Sequence, residues 1–107
     1  MSLVTAIYKA LKSYPKQEQF GIVSQMQRAA VSIPSNIAEG QSRQTSKEFI
    51  QFLYVAKGSL AELETQVIIS AELDYLSNDE EKSFCADCDE VSRMIQGLIE
   101  TLKKRNN

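Results

Sequence analysis

The 107-residue chain contains no histidine and no tryptophan, and only 4 Gly, 2 Pro and 2 Cys. Without histidine there is no Ser-His-Asp or Cys-His catalysis, and no imidazole for the usual zinc or di-iron sites. So few glycines and prolines argue against an all-β domain, which must turn often. No run of eighteen apolar residues is present, so no membrane span is expected. Met1-Ser2-Leu3-Val4 lacks the charged and apolar regions of a signal peptide. A cytoplasmic chain with reduced thiols is therefore expected. Neither a Walker A loop nor G-x-G-x-x-G occurs, and neither a cofactor nor a small-molecule substrate is implied. What is there, 43% hydrophobic and 24% charged residues, is the composition of a folded chain. Its length suits one domain over residues 1–107.

The net charge of −2 and pI of about 5.1 differ from those of most nucleic-acid binders. The average conceals an asymmetry, +4 over residues 1–57 against −6 over residues 58–107. A basic half suits an anionic partner, and opposite halves also suit self-association. An unevenly charged solvated surface is the plainer reading.

Apolar spacing predicts four helices and no strand. Leu3, Val4, Ile7, Leu11 and Tyr14 predict helix one over Leu3–Tyr14, with Ser2 as N-cap and Pro15 as the stop. Lys9, Lys12 and Lys16 form a basic stripe opposite that core. Phe20, Val23, Met26, Ala30, Ile33 and Ile37 predict helix two over Gln17–Gly40, continuing through Pro34 with a kink and ending on Gly40. The capping pattern Thr45-x-x-Glu48 opens a long helix three over Ser46–Tyr75, on the stripe from Leu53 through Leu60, Leu63 and Val67 to Asp74. Ser77-x-x-Glu80 opens helix four over Asn78–Lys104, with Phe84, Cys88, Val91, Ile95, Leu98 and Leu102 inward. Asn106 and Asn107 are expected to fray. Short connections make this an all-α, up-down-up-down antiparallel four-helix bundle with a proline-kinked helix two.

Polar residues occur where a bundle does not require them. Arg28, Ser32, Asn36, Glu39 and Arg43 share one face of helix two, and Ser59, Glu62 and Gln66 one face of helix three. They read either as a network, with Arg28 and Arg43 donating and Glu39 and Glu62 accepting, or as an ordinary solvated face. Gly58 inside helix three costs about 1 kcal/mol against alanine, which suits close approach of another backbone. Gly21 and Gly97 raise the same question. Cys85-x-x-Cys88 follows no strand and has no further soft ligands nearby, so it reads as core rather than as a redox or metal pair. The four tyrosines read as bundle-end core with wet hydroxyls rather than as base-stacking platforms.

Three stretches carry a resemblance: Gln25–Gly40, with its Ser-Ile-Pro-Ser-Asn-Ile-Ala-Glu-Gly run; Lys47–Leu53; and Gly58–Gln66. Together they resemble the four-helix bundle proteins encoded in intervening sequences of 23S rRNA genes, a group that includes the accessory protein of diversity-generating retroelements. The likeness spans nearly the whole chain. The chain departs from it in a shorter helix one and in its acidic second half. The resemblance implies a non-catalytic bundle that assembles as a homopentameric ring. Arg28, Pro34, Ser35, Asn36, Glu39, Gly40, Ser59, Glu62 and Gln66 match its motifs and are its candidates for a structural or assembly network.

Two functions follow as expectations. In the first, the ring binds structured RNA or a ribonucleoprotein through Lys9, Lys12, Lys16, Arg43 and Lys47. In the second, the charge asymmetry serves self-assembly, and the protein is a scaffold that meets no nucleic acid. An enzyme is not expected, because no nucleophile–base pair is arranged by spacing.

Overall fold

The computed structural model describes residues 1–105, so the expectation for Asn106 and Asn107 lies outside the described residues. Four α-helices form: α1 (Ser2–Leu11), α2 (Ile22–Gln41), α3 (Ser46–Glu72) and α4 (Asn78–Lys103), with a short 3₁₀ turn at Lys16–Glu18. No strand occurs among the described residues. The helices pack side by side as a bundle of 49 × 24 × 18 Å, in which α3 lies along both α2 and α4 and α1 closes the far side. Ile7, Met26, Ile33, Leu53, Leu63, Val67 and Ile99 are fully buried at its centre.

The helix ends correct several expectations. Ser2 is already helical, and Met1 stands at the N-cap without a side-chain bond. Helix α1 stops at Leu11, three residues early. Tyr14 instead sits in the turn before Pro15, yet stays buried, its ring 5.2 Å from that of Tyr75. Helix α2 begins at Ile22 rather than Gln17, because Pro15 leads into the 3₁₀ turn and Gly21, at φ −107° and ψ −117°, lies outside the helical region. Phe20 is thereby left outside the seam and is 91% exposed. Pro34 lies inside α2, and the helix runs through it. Gly40 does not cap α2; it is helical and buried, and Ser42 is the C-cap.

Helix α3 leaves its stripe earlier than its periodicity suggests. Asp74 adopts φ 63°, the left-handed conformation. The Tyr75 amide then donates to Ser70 O at 2.8 Å, and the Asp74 amide to Ala71 O at 3.0 Å. That is a Schellman ending with Asp in place of the usual glycine, and it takes Asp74 out of the helix. At the other end, Thr45 Oγ1 accepts the Glu48 amide. Ser77 and Glu80 form the complete reciprocal box that opens α4. Helix α4 turns Ile99 fully inward, between Ile95 and Leu102, while Leu98 is only half-buried. A helix of 3.6 residues per turn drifts off a strict seven-residue repeat, and here the drift moves the seam by one residue.

Candidate functional site

The α2–α3 seam is built from small side chains. Ala29 and Ala56 are buried in it, and Ser32 Oγ and Ser59 Oγ lie 2.8 Å apart across it. Asn36 Nδ2 donates to both Ser32 O (2.8 Å) and Ser32 Oγ (2.9 Å), so one asparagine braces the serine that bridges the helices. At the end of the seam Gly40 allows the closest approach. A Cβ there would stand 2.7 Å from Phe49 Cδ1 and 3.0 Å from Phe52 Cβ. Gly40, not Gly58, is thus the glycine that packing requires. Gly58 and Gly97 have no neighbour within 4 Å of a built Cβ.

Outside the seam the surface is open. Arg28 stands on a ridge of α2 between two grooves of about 480 Å³ each, one lined with Tyr8 and Val31, the other with Ser59 and Glu62. Arg28 and Glu62 share that second groove without forming an ion pair. Glu39 instead accepts from Arg43 at 2.9 Å, an exposed pair whose guanidinium also lies 4.9 Å over the Phe52 ring. Pro34 is half-buried beside Ser35, which is exposed. Gln66 is only 6% exposed, and its Oε1 is buried without a hydrogen-bond partner. Along the outside of α3, Val55, Gly58, Glu62, Thr65 and Ile69 follow one another at steps of three and four, all exposed.

The five candidate RNA-contacting cations fall into two groups. Lys9, Lys12 and Lys16 lie where α1 ends, the end at which Glu18 accepts the Tyr75 hydroxyl at 2.8 Å. Arg43 and Lys47 flank the α2–α3 connection at the opposite end of α3. The 27 residues of α3 span about 40 Å between them. The long axis therefore separates charge differently from sequence order. Glu72, Asp74, Asp79, Glu80 and Glu81 gather at the first end, and Lys103, Lys104 and Arg105 join Arg43 and Lys47 at the second.

The cysteines behave as core. Cys88 is buried, and burial, followed by the charge of Glu64, pushes its thiol up to about 12. Cys85 is raised by the same causes. Both are free thiols. Glu64 on α3 is itself raised, first by burial and then by Asp89 opposite. No group of three or more potential metal ligands occurs among the described residues. No described helix is long and apolar enough to cross a membrane.

Comparison with known proteins agrees with this architecture. A crystal structure of a protein of unknown function from the S23 ribosomal protein family of Bacteroides thetaiotaomicron superposes with a TM-score of 0.78 at 25% identity, covering 90% of this chain and 87% of that one. No curated protein matches. The model of the 23S rRNA-intervening sequence protein family matches residues 1–97. With that match over nearly its whole length, and the four-helix bundle its motifs imply, the chain belongs to the 23S rRNA-intervening sequence protein family.

Proposed function

We propose that this chain is a non-catalytic assembly protein whose outer α2–α3 face joins copies into a homopentameric ring, and whose exposed cations then hold structured RNA. The observation that carries the reading is the exposed strip Val55, Gly58, Glu62, Thr65 and Ile69, whose Glu62 also lines the α2–α3 groove. Val55 is 51% exposed and Ile69 41% exposed, on the outward side of a helix whose opposite side is buried in the core. A glycine with open space above it weakens a helix without benefit to the protomer, whereas at a contact between copies it admits a neighbouring helix closely. Arg28 and Glu62, unpaired within the protomer, are placed to find partners across such a contact. The resemblance to ring-forming bundles supplies the stoichiometry.

The test is molar mass by light scattering over a range of concentrations. The reading expects five times the protomer mass for the parent and a smaller species for Val55→Asp/Ile69→Asp, with helicity unchanged. A monomer in both would overturn it. A second reading, a scaffold without nucleic acid, is supported by the pI of about 5.1 and by the opposite charge of the two ends. It expects end-to-end association that dissolves in salt.

A further inference from the structure

One end of the bundle collects cations that sequence order keeps apart. Lys47, in the first turn of α3, and Lys103 and Arg105, at the end of α4, line one cavity of about 330 Å³. Tyr54, one of its walls, is 46% exposed. The Lys103 ammonium donates to Tyr54 Oη at 3.1 Å and stands 5.7 Å from the ring centroid, so cation and ring are held together. Among the described residues the one ion pair is Glu39–Arg43. Lys47, Lys103, Lys104 and Arg105 have no carboxylate partner there.

We propose that this end of the bundle is an RNA-binding site, in which Lys47, Lys103 and Arg105 contact phosphates and the Tyr54 ring stacks on a base. The proposal rests on the RNA-binding part of the function proposed above and gives it a location, on residues drawn equally from the basic and the acidic halves of the sequence. Unpaired cations around a concave site supply the affinity for a phosphate backbone. A partly exposed aromatic ring among those cations is the second element of single-strand recognition, because every base offers a face to stack. An acidic protein surface would answer the lysines and leave the ring unused. Lys9, Lys12 and Lys16, by contrast, share their end of the bundle with Glu72, Asp74 and Asp79–Glu81, whose field opposes an incoming phosphate.

The experiment is fluorescence anisotropy with a labelled RNA hairpin carrying a single-stranded loop, at about 50 mM and about 200 mM salt. Four proteins are compared: the parent, Lys47→Glu/Arg105→Glu, Tyr54→Leu, and Lys9→Glu/Lys16→Glu as the control at the other end. Circular dichroism and light scattering accompany each, and all five substituted side chains are solvent-accessible. The proposal expects the basic-end reversal to lower affinity at least about tenfold and to reduce the salt dependence by about two phosphates. Tyr54→Leu is expected to lower affinity about fivefold or more with the salt dependence unchanged. The control is expected to stay within about twofold of the parent. Parent binding that the basic-end variant leaves intact, or that the control loses equally, overturns this site while RNA binding stands. A parent that binds no hairpin at the lower salt overturns the RNA reading and the site with it. Concentration-dependent growth in mass that the basic-end reversal abolishes, without RNA binding, assigns the surface to another copy's acidic end and equally overturns the proposal.

Discussion

The two sides of α3 are finished to different degrees. Toward α4 the seam is closed along its middle, short of the cavity at its basic end. Lys57 Nζ donates to Gln96 Oε1 at 2.7 Å, and the space between Lys57, Cys88 and Ser92 is only about 160 Å³, although the like-charged carboxylates of Glu64 and Asp89 face each other there. Toward α2 the seam is closed only at its floor, by Ser32, Ser59 and Asn36. Above it lies a groove of about 480 Å³, with Arg28 and Glu62 unpaired, while the Gln66 carbonyl oxygen below goes unsatisfied. A buried amide without a partner costs about 1–3 kcal/mol, and exposed Val55 and Ile69 forgo the gain of burial. The middle of the α4 side is closed by contacts within the protomer. The α2 side leaves Arg28, Glu62, Val55 and Ile69 at the surface without partners among the described residues.

The comparison breaks most severely where the α2–α3 seam is tightest. Gly40→Ala places a Cβ against Phe49 and Phe52, and an overpacked core typically costs about 1–3 kcal/mol. Its melting temperature is expected to fall by several degrees. Gly97→Ala, with open space above it, is expected to raise stability by up to about 1 kcal/mol of helix propensity, and the melting temperature with it. Equal melting temperatures for the two variants would mean that α2 and α3 do not approach as closely at Gly40 as described here.

A middle-sized effect is expected at the hydrogen bonds of the two seams. Ser32→Ala removes the hydroxyl that pairs with Ser59 Oγ and accepts one of the two Asn36 bonds, and Lys57→Ala removes the donor to Gln96 Oε1. Each is expected to lower stability by about 0.5–1.5 kcal/mol in chemical denaturation. In the serine variant Ser59 Oγ loses its partner across the seam, while Asn36 keeps its bond to the residue-32 carbonyl, so the two losses should be similar. Glu39→Ala sits below both, under about 1 kcal/mol, because its pair with Arg43 is solvent-exposed.

The pH response sharpens the α4 side. Cys88 is raised in the folded chain from its ordinary 9.0 to about 12, so the folded state holds its proton more tightly. The stability this contributes is complete below about pH 9 and is lost as pH rises toward about 12. Alkaline unfolding should therefore shift upward in Cys88→Ala once its neutral-pH stability is taken as the reference. Native Cys88 should react with a thiol reagent far more slowly than unfolded chain at pH 8, since so little thiolate forms. Glu64, also raised, contributes in the same sense at acid pH. Its contribution is present below about 4.5 and disappears as pH rises through its elevated value, so Glu64→Gln should flatten that part of the profile.

Much of the fold is legible as periodicity, because burying one face of each helix demands it. The Ser77–Glu80 box is readable for the same kind of reason, two complementary side chains three residues apart. What resists reading is set by tertiary context. Asp74 looks like a continuation of the α3 stripe, and only its left-handed backbone removes it. Phe20 looks like core, and the 3₁₀ turn together with Gly21 leaves it in solvent. Gly40 and Gly58 are alike in sequence; one touches two phenylalanines and the other touches nothing. The candidate site shows the same limit. The spacing of Arg28, Ser32 and Asn36 correctly marks one face, but the cluster of Lys47, Lys103 and Arg105 exists only because antiparallel packing brings the end of α4 beside the start of α3.

If another copy covers the outer α3 strip, two glycines should respond differently to a bulky side chain. Gly58 and Gly97 both have open space above them in the protomer, but only Gly58 lies on the strip. Native mass spectrometry of Gly58→Trp and Gly97→Trp, each checked for unchanged helicity, separates the possibilities. The account predicts that Gly97→Trp retains the five-copy mass of the parent while Gly58→Trp falls to smaller species. Identical five-copy assemblies in both variants would contradict it.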